Sequence, residues 1–228
     1  MTEDDQKLAA AKAAVEYIKD GMIVGLGTGS TAAKMVDLVG EKVRNGLNII
    51  GVPTSEATAK QARENGIKIA SLDDVSVIDL TIDGTDEVDP QMRLIKGGGG
   101  AHLREKIVAS LSDQLIIIAE NKKMVAHLGA FKLPVEVIPF ACGALLPKLE
   151  ALGCTPAVRM NSGEPFRTDE NNLIVDCDFG KIDDAEELAL TLSTMAGVVE
   201  HGLFLDLADI VLIGTENGVR KFERNELS

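Results

Sequence analysis

The stretch Met22–Val43, "MIVGLGTGSTAAKMVDLVGEKV", places a short apolar segment before a glycine-rich turn and a longer segment with apolar residues at helical spacing. A short apolar run that ends at glycines is typical of a buried strand. Thr28, Ser30 or Thr31 is predicted to cap the following helix, because a hydroxyl oxygen can accept a hydrogen bond from a first-turn amide. The stretch therefore predicts the strand, loop and helix that are repeated in α/β proteins.

The same alternation continues on both sides of this stretch. Residues 5–18 are predicted to form an amphipathic helix, and another helix is predicted from about Leu103. "VSVIDLTIDG" at 75–84 is almost continuously apolar, as strands buried on both faces tend to be. The remaining predicted elements are the strands "LNIIGVPTS" at 47–55, "IKIASL" at 67–72 and "QLIIIAE" at 114–120, and the helix "EATAKQARENG" at 56–66. We therefore predict an α/β fold with a doubly wound, mostly parallel, Rossmann-like sheet.

The pattern changes after about residue 131. The segments from "PVEVIP" at 134–139 to "GVVEHGLF" at 197–204 follow the order β-α-β-β-α-β, which is typical of a ferredoxin-like α+β fold. "ADIVLIGTENG" at 208–218 indicates one more buried strand, which we assign to the first domain. The predicted division is a Rossmann-like catalytic domain at 1–130 plus 208–228 and a smaller inserted domain at 131–207.

Composition limits the partners that the protein could have. A formal charge of −13 opposes binding to phosphate backbones, and aromatic residues at 3% leave few side chains for base stacking, so no nucleic-acid partner is expected. The longest aliphatic run, "LIIIA" at 115–119, is far shorter than a membrane span, so no membrane partner is expected either. Cys142, Cys154 and Cys177 lack metal or redox spacing and are predicted to be reduced core residues. With an acidic start that matches no targeting pattern, a soluble cytoplasmic protein is predicted.

The glycine loop "GLGTGST" at 25–31 lies where a predicted strand gives way to a helix. Amides at a helix N-terminus favour a phosphate, and Thr28, Ser30 and Thr31 add hydroxyl groups. The spacing G-x-G-x-G differs from the dinucleotide pattern G-x-G-x-x-G, and the P-loop lysine is missing. A small phosphorylated metabolite fits the loop better, although a simple tight turn explains the glycines as well.

The acidic stretch "DGTDEVD" at 83–89 follows a predicted buried strand. A calcium loop would require Gly and Glu where Val88 and Leu94 stand, so that site is excluded. Because ligands of open α/β sheets bind at the carboxyl ends of strands, Asp83 and Asp86 are candidates for acid–base contacts with sugar hydroxyls. The other two carboxylates, Glu87 and Asp89, are expected in a solvated turn.

The stretch "KGGGGAHLREK" at 96–106 combines a lysine, four glycines and a carboxylate at a predicted helix start. Consecutive glycines are expected where main-chain amides face a ligand or the chain needs positive φ. Glu105 lies off the apolar stripe of the helix. It is either a stabiliser of the helix dipole or a functional carboxylate.

These three motifs, in this order, resemble the ribose-5-phosphate isomerase family of the A type, and the resemblance covers essentially the whole chain, including "LPVEVIP" and "GVVEHGLF". The resemblance implies interconversion of D-ribose 5-phosphate and D-ribulose 5-phosphate in the pentose phosphate pathway, without a metal or organic cofactor. It also implies a homodimer or homotetramer. Alternatives within the same fold are an amino-sugar phosphate deaminase, a CoA-transferase and a sugar-phosphate-sensing module. The departures from the usual family pattern are Thr85, Gly100 and His102.

The resemblance also implies the site residues. Glu105 corresponds to the catalytic base, which moves a proton through an enediol(ate), with Asp83, Asp86 and Lys96 in supporting catalytic roles. Lys123 corresponds to a further substrate-binding lysine, with Lys122 as a rival. The substrate-binding residues implied are Thr28, Gly29, Ser30, Thr31, Asp83, Gly84, Thr85, Asp86, Lys96, Gly97, Gly98, Gly99 and Lys123.

Overall fold

The computed structural model describes residues 1–224. Within these residues, the α-helices are α1 Glu3–Val15, α2 Ser30–Arg44, α3 Glu56–Glu64, α4 His102–Ser110, α5 Cys142–Glu150 and α6 Ala185–Ser193. The strands are β1 Ile23–Leu26, β2 Ile50–Pro53, β3 Lys68–Ile69, β4 Leu80–Gly84, β5 Glu87–Val88, β6 Leu94–Ile95, β7 Leu115–Glu120, β8 Leu133–Val137, β9 Thr155–Val158, β10 Met160–Asn161, β11 Glu164–Pro165, β12 Leu173–Asp178, β13 Val198–His201, β14 Leu203–Phe204, β15 Ile210–Thr215 and β16 Gly218–Glu223.

The chain divides into two compact units. The first unit contains residues 1–85, residues 104–124 and the chain from Asp206, and the second contains residues 86–103 and 125–205. The chain therefore passes from one unit to the other four times. The domain boundaries at residues 130/131 and 207/208 stay a prediction.

The first unit is built on a seven-stranded sheet in the order β16-β15-β7-β4-β1-β2-β3. The pairs β1–β2, β1–β4, β4–β7, β7–β15 and β2–β3 are parallel, and only β15–β16 is antiparallel. Strand β7 is buried along its whole length, because helices must cover both faces of a parallel sheet. The predicted doubly wound, mostly parallel sheet is confirmed.

The strand order of this sheet reverses between β1 and β4. From β1 the chain continues to β2 and β3 on one side, and it then returns to form β4 on the other side of β1. The loops that leave the carboxyl ends of β1 and β4 therefore diverge, and such switch points are where ligands bind in open α/β sheets. The loop after Leu26 leaves the carboxyl end of β1, and Asp83 is the penultimate residue of β4.

The second unit contains a four-stranded antiparallel sheet in the order β13-β8-β12-β9, with α5 and α6 as its helices. Numbered along the chain this order is 4-1-3-2, which is the ferredoxin-like arrangement. Its core is aliphatic, with Val135, Leu145, Leu149 and Val175 almost completely buried. The predicted ferredoxin-like β-α-β-β-α-β pattern is confirmed.

Several local features differ from the sequence-based expectation or were missed by it. Only Leu80–Gly84 of the predicted strand at 75–84 is a strand, although Ile78 forms an isolated parallel bridge with Ser112. The hairpin β10–β11 and the small sheet β14-β6-β5 were not predicted, because two-residue strands carry no periodicity. Cys142, Cys154 and Cys177 are buried and form no disulfide, as expected for reduced core residues. Among the described residues, the helices are too short or too polar to cross a bilayer.

Candidate active site

The loop after β1 lies directly against Asp83 in the first unit. A Cβ atom added at Gly27 would come within 2.2 Å of Asp83 Oδ1 and 2.6 Å of its Cα, so only glycine fits there. The Thr28 N–H and the Gly84 N–H both donate to Asp83 Oδ1, over 3.1 and 2.7 Å. Asp83 is only 1% exposed, and the two amides hold its carboxylate in one orientation.

The hydroxyl of Thr28 belongs to a cluster of hydroxyl groups. Its Oγ1 lies 2.7 Å from Thr54 Oγ1, 2.9 Å from Ser55 Oγ and 3.2 Å from Thr58 Oγ1. Thr58 in turn donates to the carbonyl of Gly27. The cluster connects the loop after β1 to the start of α3, so Thr28 also has a structural role.

The helix cap predicted for Thr28, Ser30 or Thr31 is wrong. Helix α2 begins at Ser30, and its N-cap is Gly29, which has φ +110° and no side-chain hydrogen bond to the first turn. A positive φ of this size favours glycine because other residues would be strained there. The first-turn amides of α2 therefore lack a side-chain cap of their own, which suits an anion at this N-terminus.

Lys7 is a candidate site residue that sequence reasoning missed. Its Nζ donates to Ser30 Oγ over 3.0 Å and lies 3.9 Å from Glu120 Oε1, which is almost fully buried. The lysine adds positive charge to the N-terminus of α2 from a position on α1. The sequence carries no signal for this role, since Lys7 is one of several charged residues in an amphipathic helix.

The two lysines after β7 have different surroundings. Lys122 Nζ donates to Glu3 Oε2 over 2.5 Å, and this contact raises the pKa of the Lys122 ammonium. Lys122 is more than half exposed, whereas Lys123 is half-buried at the end of a short turn. The geometry therefore favours Lys123 over Lys122 as the substrate-binding lysine.

Glu105 is a buried carboxylate in the first turn of α4. It is 4% exposed, which a carboxylate that only stabilises a helix dipole from the surface would not require. The neighbouring Arg104 binds Glu56 over 2.9 Å and holds the pKa of that carboxyl below its usual range. Of the two interpretations left open by the sequence, burial favours the functional one.

In the second unit, Asp86 binds the glycine run. Asp86 Oδ2 accepts the Gly98 N–H over 2.7 Å, and a Cβ atom at Gly98 would lie 2.7 Å from Asp86 Oδ1. Gly97 and Gly100 have φ of +106° and +80°. Gly98 therefore allows close approach to a carboxylate, and Gly97 and Gly100 adopt backbone conformations that other residues rarely adopt.

Lys96 is buried at the start of the same run. Its side chain is almost completely covered, and its Nζ lies 5.4 Å from the centroid of the Phe204 ring. Its N–H donates to the Gly202 carbonyl over 2.9 Å, which ties this position to the chain before β14. A buried ammonium next to a loop of accessible amides can bind and stabilise an oxyanion.

The expectation that Glu87 and Asp89 lie in a solvated turn is wrong. Both are 3% exposed. Glu87 accepts the N–H groups of Gly129 and Phe131 over 2.7 and 2.6 Å, and Asp89 forms an ion pair with Arg93 at 2.7 Å. They are structural carboxylates that satisfy main-chain and guanidinium donors, so the acidic stretch does not act as one cluster.

The structure thus places the predicted residues in both units. The first unit holds Thr28–Thr31, Asp83–Thr85, Glu105 and Lys123, and the second holds Asp86 and Lys96–Gly99. Among the described residues, no three His, Cys, Asp or Glu side chains are grouped so that they could hold a metal ion.

Comparison with known proteins relates this chain to one family. The sequence model of ribose 5-phosphate isomerase A (phosphoriboisomerase A) matches residues 50–218. The chain is 51% identical over 225 residues to ribose-5-phosphate isomerase A of Parvibaculum lavamentivorans, covering 96% of this chain and 97% of that protein. It is 53% identical to the protein of the same name from Jannaschia sp., covering 94% and 85%.

Solved structures agree with this relationship. A D-ribose-5-phosphate isomerase in complex with phospho-erythronic acid superposes with a TM-score of 0.96 at 43% identity, covering 98% of this chain and 100% of that one. The ribose 5-phosphate isomerase A of Methanocaldococcus jannaschii gives a TM-score of 0.94 at 39% identity, covering 97% and 100%. The deaminase, CoA-transferase and sensor alternatives are not favoured. The chain belongs to the ribose 5-phosphate isomerase A family.

Proposed function

We propose that this protein interconverts D-ribose 5-phosphate and D-ribulose 5-phosphate, with Glu105 as the base that moves a proton between C2 and C1. The observation that carries the proposal is the buried carboxylate of Glu105 on the first turn of α4. A general base must come within about 3 Å of the proton that it removes, and a helix is a rigid support for such a group.

The reaction is a balanced sequence of proton transfers. Glu105 removes the proton from C2 of the open-chain aldose, and the electron pair of that C–H bond forms the C1–C2 double bond while the C1 oxygen gains negative charge. The proton on the C2 oxygen passes to the C1 oxygen, and Glu105 returns its proton to C1, which leaves a ketone at C2. The steps require only acids, bases and hydrogen-bond donors.

Lys96 and the amides of Gly97 and Gly99 stabilise the oxygen that becomes negative, while the Gly98 amide holds Asp86. The supporting observations are the burial of Lys96 and the exposure of Gly99. Donors that are already oriented before the reaction stabilise charge more than water does. The removal of one such donor costs about 3–4 kcal/mol in other enzymes.

Asp83 and Asp86 bind the sugar hydroxyls and assist ring opening. Main-chain amides already hold one oxygen of each carboxylate, the amides of Thr28 and Gly84 for Asp83 and that of Gly98 for Asp86. A carboxylate held in this way keeps its orientation while it exchanges a proton with a hydroxyl group. Gly84 and Thr85 contribute their main chain to the same contacts.

The phosphate binds at the start of α2. Residues Thr28, Gly29, Ser30 and Thr31 supply amides and hydroxyls, and Lys123 supplies a further charge. Lys7, which already donates to Ser30 Oγ, adds to this positive environment. Helix N-termini bind phosphate because their first amides lack acceptors within the helix.

The enzyme acts in the cytoplasm as part of the pentose phosphate pathway, as a homodimer or homotetramer. Large apolar side chains that are exposed in the single chain support the assembly, among them Phe140 at 97% exposure and Leu190 at 67%. The protomer is 24.2 kDa, so light scattering that gives this mass at micromolar concentration would contradict the assembly. The Rossmann-like domain at 1–130 plus 208–228 and the inserted domain at 131–207 remain part of the proposal.

The test compares wild type with Glu105→Gln, and Glu64→Gln at an exposed helix position is the matched control. We expect wild-type turnover, a loss of about 10²–10⁴-fold in kcat for Glu105→Gln, and no change for Glu64→Gln. Calorimetry should show that Glu105→Gln still binds ribose 5-phosphate or phospho-erythronic acid. Turnover that survives Glu105→Gln would move the base to Asp83 or Asp86, and an inactive wild type would refute the isomerase.

A further inference from the structure

The guanidinium group of Arg159 joins the glycine run to β12. Its Nη1 donates to the carbonyls of Gly97 and Gly98 over 2.9 and 3.1 Å. Its Nε and Nη2 donate to the two carboxylate oxygens of Asp176 over 2.9 and 2.5 Å. A planar guanidinium with these four contacts holds its partners in a defined orientation, which a lysine could not reproduce.

The main chain of Arg159 is itself fixed within the second unit. Its N–H donates to the Ile174 carbonyl and its carbonyl accepts the Phe166 N–H, both over 2.8 Å. Asp176 lies on β12 and pairs in register with Ala157 of β9, two residues before Arg159. The Arg159 side chain is 15% exposed. The arginine therefore reaches the glycine run from a rigid part of the sheet.

Phe166 covers the other end of the same run. A Cβ atom at Gly100 would lie 2.5 Å from the Phe166 ring, so the ring is in direct contact with the main chain there. The Arg159 guanidinium carbon lies 5.9 Å from the centroid of that ring, within the range of a cation–π contact. At the start of the run, the His102 ring contacts the main chain in the same way, since its Nδ1 lies 2.8 Å from a Cβ atom added at Gly97.

The two carbonyl contacts determine where the amides of the run point. In a trans peptide the C=O of one residue and the N–H of the next point in opposite directions, and the described residues contain no cis peptide. Because the carbonyls of Gly97 and Gly98 both point to Arg159 Nη1, the N–H groups of Gly98 and Gly99 point away from it. The Gly98 N–H binds Asp86, and Gly99 is exposed.

We propose that Arg159 is a positioning residue that holds the Gly99 N–H on the Asp86 side of the glycine run, where this amide donates to the oxygen that becomes negative during isomerisation. Asp176 and Phe166 hold Arg159 in place for this purpose. The inference rests on the proposed function and adds to it the residue that sets the direction of the loop amides. Four successive glycines have little conformational preference of their own, so the contacts of Arg159 select the arrangement together with the hydrogen bond from the Gly100 N–H to the Gly97 carbonyl, over 3.0 Å.

The kinetic test uses Arg159→Met and Arg159→Lys, with Arg167→Met as the matched control. Arg167 is exposed on the same segment, and its Nη1 donates to the Asn171 carbonyl. We expect kcat to fall about 10²-fold in Arg159→Met with KM within about threefold of wild type, because the lost donor acts on the transition state. Arg159→Lys should recover part of the loss, and Arg167→Met should match wild type.

A second variant tests the same proposal if Arg159→Met fails to fold. Asp176→Asn keeps the shape of the site but weakens the anchor of the guanidinium, and we expect about a tenfold fall in kcat. The melting temperature of each variant identifies those that fold. A folded Arg159→Met with wild-type kcat would overturn the proposal, and so would a raised KM with unchanged kcat.

The NMR resonance of the Gly99 amide tests the role of Arg159 independently of turnover. With ¹⁵N-glycine labelling in the Glu105→Gln background, ribose 5-phosphate should shift the Gly99 amide resonance, and Arg159→Met should abolish that shift. The Arg167→Met control should retain it. A wild type without turnover would refute the isomerase, whereas a Gly99 shift that persists in Arg159→Met would refute only the role of Arg159.

Discussion

The two glycine-rich loops of this protein are held in place by different means. In β1 and the loop after it, Gly25 and Gly27 lie so close to β4 that added Cβ atoms would come within 1.9 Å of Thr81 and 2.2 Å of Asp83. Neighbouring strands of one sheet therefore determine its path. In the run 97–100, Asp86 and His102 make contacts from nearby in the chain, and further contacts come from Arg159 and Phe166, which lie far along it. A loop within a sheet can follow from local pattern, whereas a loop outside it depends on distant residues.

The largest expected effect tests the first loop. Gly27→Ala would place a Cβ atom 2.6 Å from the Cα of Asp83, so the main chain must shift and the Asp83 carboxylate must leave its two amides. We expect more than about a 10²-fold loss of kcat/KM and a decrease of about 1–3 kcal/mol in the free energy of unfolding. Steady-state kinetics and urea unfolding measure both quantities.

Gly143→Ala is the control for this change. Gly143 lies in α5, and nothing lies within 4 Å of an added Cβ atom. Alanine favours a helix more than glycine does, so this variant should be as active as wild type and slightly more stable. A Gly27→Ala variant that retains wild-type activity would show that the close approach to Asp83 is not required.

The second loop should respond less strongly to an added methyl group. Gly100→Ala meets a positive φ and the ring of Phe166, but a side chain can move more easily than a strand. We expect about a tenfold fall in kcat and a loss of about 1–2 kcal/mol in stability. Phe166→Leu in the same chain should restore part of the stability. The absence of coupling between the two changes in a double-mutant cycle would contradict the packing described above.

The lysines after β7 test the charge near the first loop. Lys123→Ala should raise KM about tenfold, because one charge-assisted hydrogen bond to phosphate is lost. Lys122→Ala removes an ion pair with Glu3 at the surface and should leave KM within about twofold of wild type. If the two variants exchanged these effects, Lys122 would be the substrate-binding lysine.

The smallest expected effect concerns the support of the second loop. Burial raises the pKa of Glu136, against the lowering effect of its hydrogen bonds from Asn172 and Thr168, and the nearby Glu170 and Glu200 raise it further. His102, which packs on Gly97, has its Nε2 3.9 Å from Glu136 Oε2. A raised pKa in the folded state means that the folded protein binds this proton more tightly than the unfolded chain does.

The sign of the pH dependence follows from this difference. As the pH rises from the ordinary carboxyl pKa through the raised one, wild type should lose the stability that the protonated Glu136 contributes. Glu136→Gln, which stays neutral and can still accept a hydrogen bond, should not lose it. Urea unfolding of both proteins between pH 4 and 8 should therefore show that the free energy of unfolding of Glu136→Gln increases relative to that of wild type as the pH rises. Parallel curves would show that Glu136 does not titrate in this range.

Local pattern was sufficient for much of the fold. The alternation of apolar segments and helical runs predicted both sheets, because strand and helix periods are properties of neighbouring residues. It also marked Asp83 and the first glycine loop as candidates, since they lie at the ends of predicted strands, and the run 97–100 because consecutive glycines are expected where amides face a ligand. The solvated turn at Glu87 and Asp89 was predicted wrongly because their partners, Gly129, Phe131 and Arg93, cannot be identified from periodicity.

The sequence by itself determined the fold class, the order of the elements and, through its resemblance to a family, the reaction. Only the tertiary structure decided which polar groups meet. Lys7 reaches Ser30, and Arg159 reaches the carbonyls of Gly97 and Gly98, across 23 to 62 positions of chain. The physical reason is that hydrophobic periodicity is a local property, whereas a hydrogen bond between distant residues exists only once sheet order and register have brought them together.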